Sequence, residues 1–152
     1  KESFPVATVT TSYVPGTAYQ TSIETAVATL TGDEPRESGG DGAGPSPYEL
    51  LLASLGHCTV LTMMLYARRK EWQIDSVSVR GTFERIITGD PVSGRTRTER
   101  ITQEINLSGP LSEEQRARIL EIAHKCPVHR TLANGLEIVT MEMSDDVVVL
   151  SE

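Results

Sequence analysis

The chain has 152 residues, of which 38% are hydrophobic and 23% are charged, and its formal net charge at pH 7 is −7. This length and composition are typical of one globular domain, so we predict a single domain over residues 1–152. The negative charge argues against nucleic acid as a partner, because phosphate binding requires a concentrated basic surface. No apolar run reaches the ~18 residues of a membrane span, so no membrane partner is expected.

The N-terminal part of the chain is predicted to combine short strands with a loop. Val6, Thr8 and Thr10 alternate with other residues in a stretch rich in Thr, Val and Ala. Pro15-Gly16 marks a turn, and residues 19–30 return to a strand-like composition. Residues 31–47 carry many glycines and prolines, with charged residues between them. They are therefore predicted to form a loop, and long loops in compact domains are often functional or mobile.

A long helix is predicted over residues 47–70. Ser46 can cap it, Pro47 suits its first position, and Glu49 lies in the first turn, where a negative charge meets the helix dipole. Apolar residues then recur at helical spacing, at Leu51, Leu52, Leu55, Cys58, Met63 and Tyr66. Because the helix is apolar on more than one face, we expect it to be central and largely buried.

The rest of the chain is predicted to alternate between strands and helices. Ser112 with Gln115 forms a capping box for a second helix, and Pro127 opens a short third helix that Asn134-Gly135 ends. Further strands are predicted at residues 74–83, 95–107, 138–143 and 147–150, with turns at 89–91 and 144–146. This order of elements predicts an α+β fold.

The chain contains two cysteines, Cys58 and Cys126. Two cysteines are not a disulfide framework, so we expect a cytoplasmic protein in which the pair does redox chemistry or binds metal. Cys58 lies in the middle of the long helix and is expected to be buried, which would raise the pKa of its thiol unless a cation or donor lowers it. Two unrelated buried thiols are the simpler alternative.

Cys126 directly precedes Pro127, and this position predicts a different environment. A residue before proline is driven out of the helical conformation, so Cys126 should lie at the N-cap of the third helix. Backbone N–H groups and the helix dipole then favour a thiolate there. Basic or titratable neighbours surround it, at His124, Lys125, His129 and Arg130.

Two segments of the chain together resemble the OsmC/organic hydroperoxide resistance family. The first is Gly39-Gly40 followed by Gly44-Pro45-Ser46-Pro47-Tyr48-Glu49-Leu50-Leu51-Leu52-Ala53-Ser54-Leu55-Gly56-His57-Cys58-Thr59, and the second is Cys126-Pro127-Val128-His129. The order of elements is similar too. The resemblance implies an OsmC-like fold, with the long central helix packed on an antiparallel sheet in an intertwined homodimer. It implies a cofactor-free thiol peroxidase for organic hydroperoxides, in which Cys58 attacks the peroxide and Cys126 resolves the sulfenic acid. A thiol reductant of unknown identity would complete the cycle.

The sequence also departs from the pattern of the family's peroxidases. They place a catalytic glutamate directly after the proline of the motif, where this chain has Tyr48. The neighbouring Glu49 is retained as a catalytic candidate, although nine helical steps place it about 180° around the axis from Cys58. Those enzymes also use an arginine from an N-terminal turn, and the matching residues 13–16 contain none. Arg36, in the loop, is a candidate replacement.

Two other functions remain open at this stage. The chain could bind a small hydrophobic ligand around Cys58 without turnover, which the missing arginine and the displaced glutamate favour. It could also bind zinc through a mixed set of ligands, namely His57, Cys58, His124, Cys126 and His129. Their spacing fits no known zinc pattern, so no metal is predicted.

Overall fold

The longest helix, α1, begins and ends where the sequence predicts. The computed structural model describes residues 5–143 and the strand at residues 148–150, and α1 spans Pro47–Arg69. Before its first turn, Glu49 Oε2 accepts hydrogen bonds from the backbone N–H of Ser46 at 2.8 Å and from its hydroxyl at 2.9 Å. This carboxylate satisfies a backbone donor at the helix start, and Arg68 and Arg69 complement the dipole at the other end.

The N-terminal strands form a three-stranded antiparallel sheet in the order β1-β2-β3. Strand β1 spans Thr10–Tyr13, β2 spans Thr21–Glu24 and β3 spans Thr29–Gly32. The predicted turn at Pro15-Gly16 connects the first two strands, and Gly16 adopts a positive φ of 84° there. Residues 31 and 32, predicted as loop, instead end strand β3, because they pair with β2.

The glycine-rich loop that follows is held by one buried carboxylate. Asp33 accepts backbone N–H bonds from Glu34 at 2.8 Å, Asp41 at 3.1 Å and Ala43 at 3.0 Å. These bonds, led by the one from Ala43, lower the pKa of Asp33 below its ordinary value. Gly40 is required here, since a Cβ would lie 2.0 Å from the carbonyl oxygen of Glu34. The loop is thus folded around Asp33.

The predicted strand pair is a long two-stranded hairpin. Strand β4 spans Ser76–Asp90 and β5 spans Gly94–Ser108, so both run further than the sequence predicted and the turn shifts to residues 91–93. Asp90 stabilises that turn by accepting N–H bonds from Val92 at 2.7 Å and Ser93 at 2.9 Å.

The predicted α2 and α3 are both present. Helix α2 spans Glu113–Ala123 behind the predicted capping box of Ser112 and Gln115, and α3 spans Pro127–Asn134. Strand β6, Thr140–Glu142, pairs antiparallel with β7, Val148–Leu150. The turn predicted at residues 144–146 lies outside the described residues. Helices and antiparallel sheets together confirm the α+β class.

Residues of the chain group into two compact units. The first comprises Lys1–Ser54 with Gly81–Gln103, and the second comprises Leu55–Arg80 with Glu104–Glu152. Helix α1 and the β4–β5 hairpin contribute residues to both. The grouping does not test whether residues 1–152 act as one domain, which stays a prediction.

The second unit has an aliphatic core with an aromatic border. One cluster of buried side chains that pack on each other comes from α1, β5 and α2, namely Met63, Ala67, Leu107, Ile119 and Ala123. Tyr66 packs edge-on against Trp72 with ring centroids 5.8 Å apart, and its hydroxyl accepts a hydrogen bond from Arg118 at 3.1 Å. These contacts join the last turn of α1 to α2.

One face of α1 stays uncovered in the chain, so the prediction of a largely buried helix is wrong for the single chain. The buried residues lie four apart, at Leu55, Thr59, Met63 and Ala67, whereas Leu61 is 45% and Leu65 60% exposed. The second unit covers one stripe of the helix. An 18-residue window of α1 has a mean hydropathy of 1.7, enough by length and composition to cross a bilayer. Core helices of soluble proteins share that property.

Candidate functional site

Cys58 lies at the edge of the buried stripe of α1. It follows Leu55 by three residues, which places it about 60° around the axis from that side chain. The thiol is half-buried. The predicted burial of Cys58 is therefore only partial, because Cys58 borders the covered face of the helix without lying at its centre.

Cys126 occupies the N-cap of α3, as its place before Pro127 predicted. Its backbone is extended, with φ −54° and ψ 130°, and its Sγ accepts the backbone N–H of His129 at 3.4 Å. The carbonyl oxygen of Cys126 accepts the N–H of Arg130 at 3.1 Å, which begins the helix. The side chain is 0% exposed. Cys126 is thus buried, and its sulfur already accepts a hydrogen bond from the His129 N–H.

The structure brings the two thiols together. Both cysteines are free, and their side chains are within hydrogen-bond distance of each other. Burial is the largest cause that raises the pKa of the Cys58 thiol, and the hydrogen bond and the charge of Cys126 add to it. Two adjacent free thiols can together supply two electrons and form a disulfide. We call Cys58 and Cys126 the cysteine pair.

Two neutral donors that the sequence analysis missed lie beside Cys58. The backbone N–H of Val128 and the hydroxyl of Thr62 both lower the pKa of Cys58, although burial outweighs them. The single proton of the Thr62 hydroxyl has an alternative acceptor in the carbonyl oxygen of Cys58, which lies 2.8 Å away. The spacing of four residues on α1 could have identified Thr62. The Val128 contact depends on how α3 packs, and no sequence signal indicated it.

Two of the basic residues around Cys126 form a histidine pair. The rings of His124 and His129 meet edge to face, with centroids 5.8 Å apart. His124 is exposed at the end of α2, and His129 is half-buried on α3, while His57 on α1 is exposed. Within residues 5–143, no three histidine, cysteine or acidic side chains are grouped closely enough to hold a metal ion. The alternative of a zinc site has no ligand set in that range.

Glu49 acts locally at the start of α1. The hydrogen bonds described for its carboxylate both go to Ser46, through the backbone N–H and the hydroxyl. These bonds, the backbone one first, lower the pKa of Glu49 and favour the charged form. The observed role is helix capping, and the catalytic role of Glu49 stays a prediction.

The first unit contains a charged and aromatic cluster around Tyr48. Its phenol oxygen accepts a hydrogen bond from Arg85 Nη2 at 2.9 Å, and its ring stacks on Phe83 with centroids 4.3 Å apart. Arg85 also pairs with Glu99 at 3.3 Å, and Arg97 pairs with the same carboxylate at 2.8 Å. These five residues are called the Tyr48 cluster. Contacts of α1 with the β4–β5 hairpin assemble it from residues distant in sequence, so no local pattern indicated Arg85 here.

Arg36, the candidate replacement cation, is engaged within its own loop. Its Nε donates to the carbonyl oxygen of Asp41 at 3.0 Å, and the Asp41 carboxylate in turn accepts a hydrogen bond from Gln20 at 2.9 Å. The guanidinium thus helps to close the loop that Asp33 organises. This contact gives Arg36 a structural role in the first unit.

Comparison with known proteins agrees with this fold. An OsmC-like protein from Mycoplasma pneumoniae matches at 22% identity and a TM-score of 0.67, over 85% of this chain and 88% of that one. An organic hydroperoxide resistance protein OsmC from Legionella pneumophila matches at 21% identity and a TM-score of 0.57, over 85% and 91% of the two chains.

A third solved structure is an organic hydroperoxide resistance protein from Elizabethkingia anophelis with bound thiocyanate, at 16% identity and a TM-score of 0.58, over 86% and 89% of the two chains. No curated protein sequence matches the chain. The family model described as OsmC-like protein matches residues 39–141, which include α1 and both cysteines. The chain therefore belongs to the OsmC-like protein family.

Proposed function

We propose that this protein reduces organic hydroperoxides to alcohols through the cysteine pair. The observation that carries the proposal is the contact between two free thiols, one half-buried and one fully buried. The Cys58 thiolate attacks the terminal peroxide oxygen, the O–O bond breaks, and the alkoxide takes a proton to leave as the alcohol. Cys58 becomes a sulfenic acid, and Cys126 then attacks its sulfur, forming the disulfide and releasing water.

Accessibility supports this assignment of roles. Cys58 is half-buried, whereas Cys126 is 0% exposed and its sulfur accepts the His129 N–H. A peroxide that diffuses into the site therefore meets Cys58 first. Cys126 lies within hydrogen-bond distance of it and needs only a small movement to form the S–S bond.

Neutral hydrogen-bond donors would activate Cys58. Thiolate, and not thiol, is the nucleophile, so the attacking sulfur needs donors that stabilise its negative charge. The Val128 N–H and the Thr62 hydroxyl provide this stabilisation. As burial still raises the pKa of Cys58, only a small fraction of protein is thiolate at neutral pH, and the rate should rise with pH.

Several relatives support the substrate class. The neighbours from Legionella pneumophila and Elizabethkingia anophelis are described as organic hydroperoxide resistance proteins. At 21% and 16% identity they are evidence for the fold, and their chemistry reaches this chain as part of the proposal. The apolar surroundings of Cys58 suit an organic substrate more than hydrogen peroxide.

We propose further that the working form is an intertwined homodimer. Leu61 and Leu65 on α1 are 45% and 60% exposed, and Leu136, Ile138 and Met143 are 60%, 82% and 99% exposed. A second copy of the chain would cover these side chains, which are too apolar to favour water. Sedimentation at micromolar concentration should give about twice the protomer mass of 16.6 kDa, and a monomer would contradict the dimer. Free thiols fit a reducing cytoplasm, where a cellular thiol would act as reductant.

A thiol count tests the function. One equivalent of cumene hydroperoxide per protomer should remove both thiols of the reduced wild-type protein, as measured by a chromogenic disulfide reagent after denaturation. The matched control is the same count with tert-butanol, which lacks the O–O bond. If the protein keeps both thiols after many minutes with cumene hydroperoxide, the peroxidase proposal is refuted.

The second candidate is a binding protein for a small hydrophobic ligand. The raised pKa of Cys58 favours it, because a protonated thiol in an apolar site is chemically inert and can simply line a cavity. Under this alternative, both thiols survive the peroxide, and the ligand protects Cys58 from alkylation.

A further inference from the structure

We propose that Asn134-Gly135, at the end of α3, is a site of spontaneous covalent modification, where Asn134 loses ammonia and becomes aspartate or isoaspartate. The reaction takes place within the chain, between the side-chain amide of Asn134 and the backbone nitrogen of Gly135. It needs no molecule larger than water, so a second copy that covers nearby apolar side chains does not prevent it. The inference is independent of the peroxidase proposal.

The first reason is that the two reacting groups are unengaged. Helix α3 spans Pro127–Asn134, and Gly135 follows it with φ 74° and ψ 166°. Within residues 5–143 and 148–150, the N–H of Gly135 and the side-chain amide of Asn134 make no hydrogen bond. No bond in that part of the chain therefore has to break before the nitrogen can attack.

The second reason is the type of residue at position 135 and its place in the fold. Glycine has no Cβ, so nothing shields its nitrogen from the preceding side chain, and its backbone reaches conformations closed to other residues. Helix ends fray, and the last carbonyls of a helix lack intrahelical partners. Asn134 can therefore rotate out of the helical conformation, as closure of the ring requires.

Two other positions in the chain should resist the same reaction. In the Asp41-Gly42 pair, the glycine N–H donates to a backbone carbonyl oxygen of the loop at 3.2 Å, and the aspartate carboxylate accepts from Gln20 at 2.9 Å. Asn106 lies within strand β5, and Leu107 after it is 6% exposed. The fold thus holds these two positions in place, whereas Asn134 lies at the end of a short helix.

The chemical steps balance without a co-reactant other than water. The nitrogen of Gly135 bonds to the side-chain carbonyl carbon of Asn134, the amide C–N bond breaks, and the proton of the attacking nitrogen leaves with the ammonia. Water then opens the five-membered imide at one of its two carbonyls. One opening gives aspartate, and the other gives isoaspartate, in which the main chain runs through the side-chain carbon. Neither step transfers electrons.

The product would weaken the helix that supports the cysteine pair. A carboxylate in the last turn of α3 lies at the negative end of the helix dipole, where negative charge is unfavourable. The first residues of the same helix include the N-cap Cys126 and the Val128 N–H that donates to Cys58. In Asn134→Asp, hydrogen exchange of the α3 amides should therefore be about two- to fivefold faster than in wild type.

The test follows the two asparagines of the chain during storage. The full reduced protein is kept for several weeks at mildly alkaline pH and physiological temperature, and is then digested briefly at mildly acidic pH. Trypsin cleaves after Arg100, Arg116 and Arg130, so Asn106 falls in residues 101–116 and Asn134 in residues 131–152. Mass spectrometry measures the gain of about 1 Da that the reaction causes. An isoaspartyl methyltransferase labels the isoaspartate in each peptide.

Residues 131–152 should gain mass at least about tenfold faster than residues 101–116, and they should carry most of the isoaspartate label. The matched control is Asn134→Gln, whose imide ring would have six members and close more slowly, and it should leave the mass of that peptide unchanged. Asn134 that stays intact in the folded protein but reacts in urea would overturn the inference. Equal rates at Asn106 and Asn134, or as much label at Asp41 as at residue 134, would overturn it as well.

Discussion

The Tyr48 cluster of the first unit and the cysteine pair of the second unit are built from opposite kinds of groups. The cluster is exposed and charged, with Arg85 shared between the phenol of Tyr48 and the carboxylate of Glu99. The cysteine pair is buried on one side, and the donors described beside Cys58 are a hydroxyl and a backbone N–H. Arg36, Arg85 and Arg97 of the first unit are thus engaged in structural contacts, and Cys58 in the second unit has neutral donors beside it.

This difference bears on how each site responds to change. Exposed ion pairs contribute little to stability, because water and salt screen them. A buried thiol responds strongly to each neighbouring donor, because the surrounding dielectric constant is low. Substitutions in the second unit should therefore alter chemistry and stability, whereas substitutions in the Tyr48 cluster should alter neither much.

The largest effect is expected from the cysteines themselves. Cys58→Ser should lower the rate of cumene hydroperoxide consumption by at least about 100-fold, because no accessible nucleophile remains. Cys126→Ser should react once and then accumulate sulfinic and sulfonic acid at Cys58, which mass spectrometry detects. If Cys58→Ser still consumes peroxide and Cys126→Ser does not, the two roles are reversed.

A cavity in the core of the second unit should have the next largest effect. Met63 is 0% exposed, so Met63→Ala should lower the free energy of unfolding by about 2–5 kcal/mol, as measured by urea denaturation. The control is Arg85→Ala in the Tyr48 cluster, which should leave Tm within about 2 °C of wild type. A larger loss from Arg85→Ala than from Met63→Ala would show that the charged cluster, and not the apolar core, dominates stability.

Removal of the Thr62 hydroxyl should have a moderate effect on reactivity. The raised pKa of Cys58 predicts that its alkylation by iodoacetamide increases with pH, with a midpoint above the ordinary thiol value of about 8.5. Thr62→Val removes a donor to the thiolate, so it should shift this midpoint upward and slow peroxide consumption about fivefold at pH 7. Thr62→Ser keeps the hydroxyl, so its alkylation midpoint and its rate of peroxide consumption should stay close to those of wild type. A midpoint below that of a free thiol would contradict the burial that raises the pKa of Cys58.

The raised pKa of Cys58 also makes the free energy of unfolding depend on pH. A folded-state pKa above the unfolded value means that the folded protein holds its proton more tightly. The contribution of Cys58 to stability is therefore complete below the unfolded pKa and is lost as pH rises through the folded pKa. In Cys58→Ser this alkaline loss should be smaller than in wild type.

The smallest effect is expected at the Tyr48 cluster. Tyr48→Phe removes the acceptor of the Arg85 hydrogen bond but keeps the ring that stacks on Phe83. The rate of peroxide consumption should stay within about twofold of wild type, as expected of an exposed contact. A loss of about tenfold or more would show that the cluster takes part in the chemistry.

The sequence predicted features that depend on local chemistry. Pro47 with Glu49 marks the start of α1, Ser112 with Gln115 caps α2, and Pro127 places Cys126 at an N-cap. Each signal acts within one turn, so it can be recognised without knowledge of distant contacts.

Features that depend on distant contacts were missed. The apolar pattern of α1 could not show that Leu61 and Leu65 stay exposed in the single chain while Cys58 lies at the edge of the buried stripe. The hydrogen bond from Arg85 to Tyr48 joins residues 37 apart in sequence. The pairing of the cysteines came from family resemblance, since their spacing alone does not fix which elements meet.

The most direct test of the central claim is the product that one equivalent of cumene hydroperoxide forms in reduced wild-type protein. After alkylation and tryptic digestion without reductant, mass spectrometry should find residues 37–68 joined to residues 126–130 by a Cys58–Cys126 disulfide. The undigested protein should keep its protomer mass of 16.6 kDa on a non-reducing gel. Two separate alkylated peptides after full exposure to the peroxide would contradict a working cysteine pair.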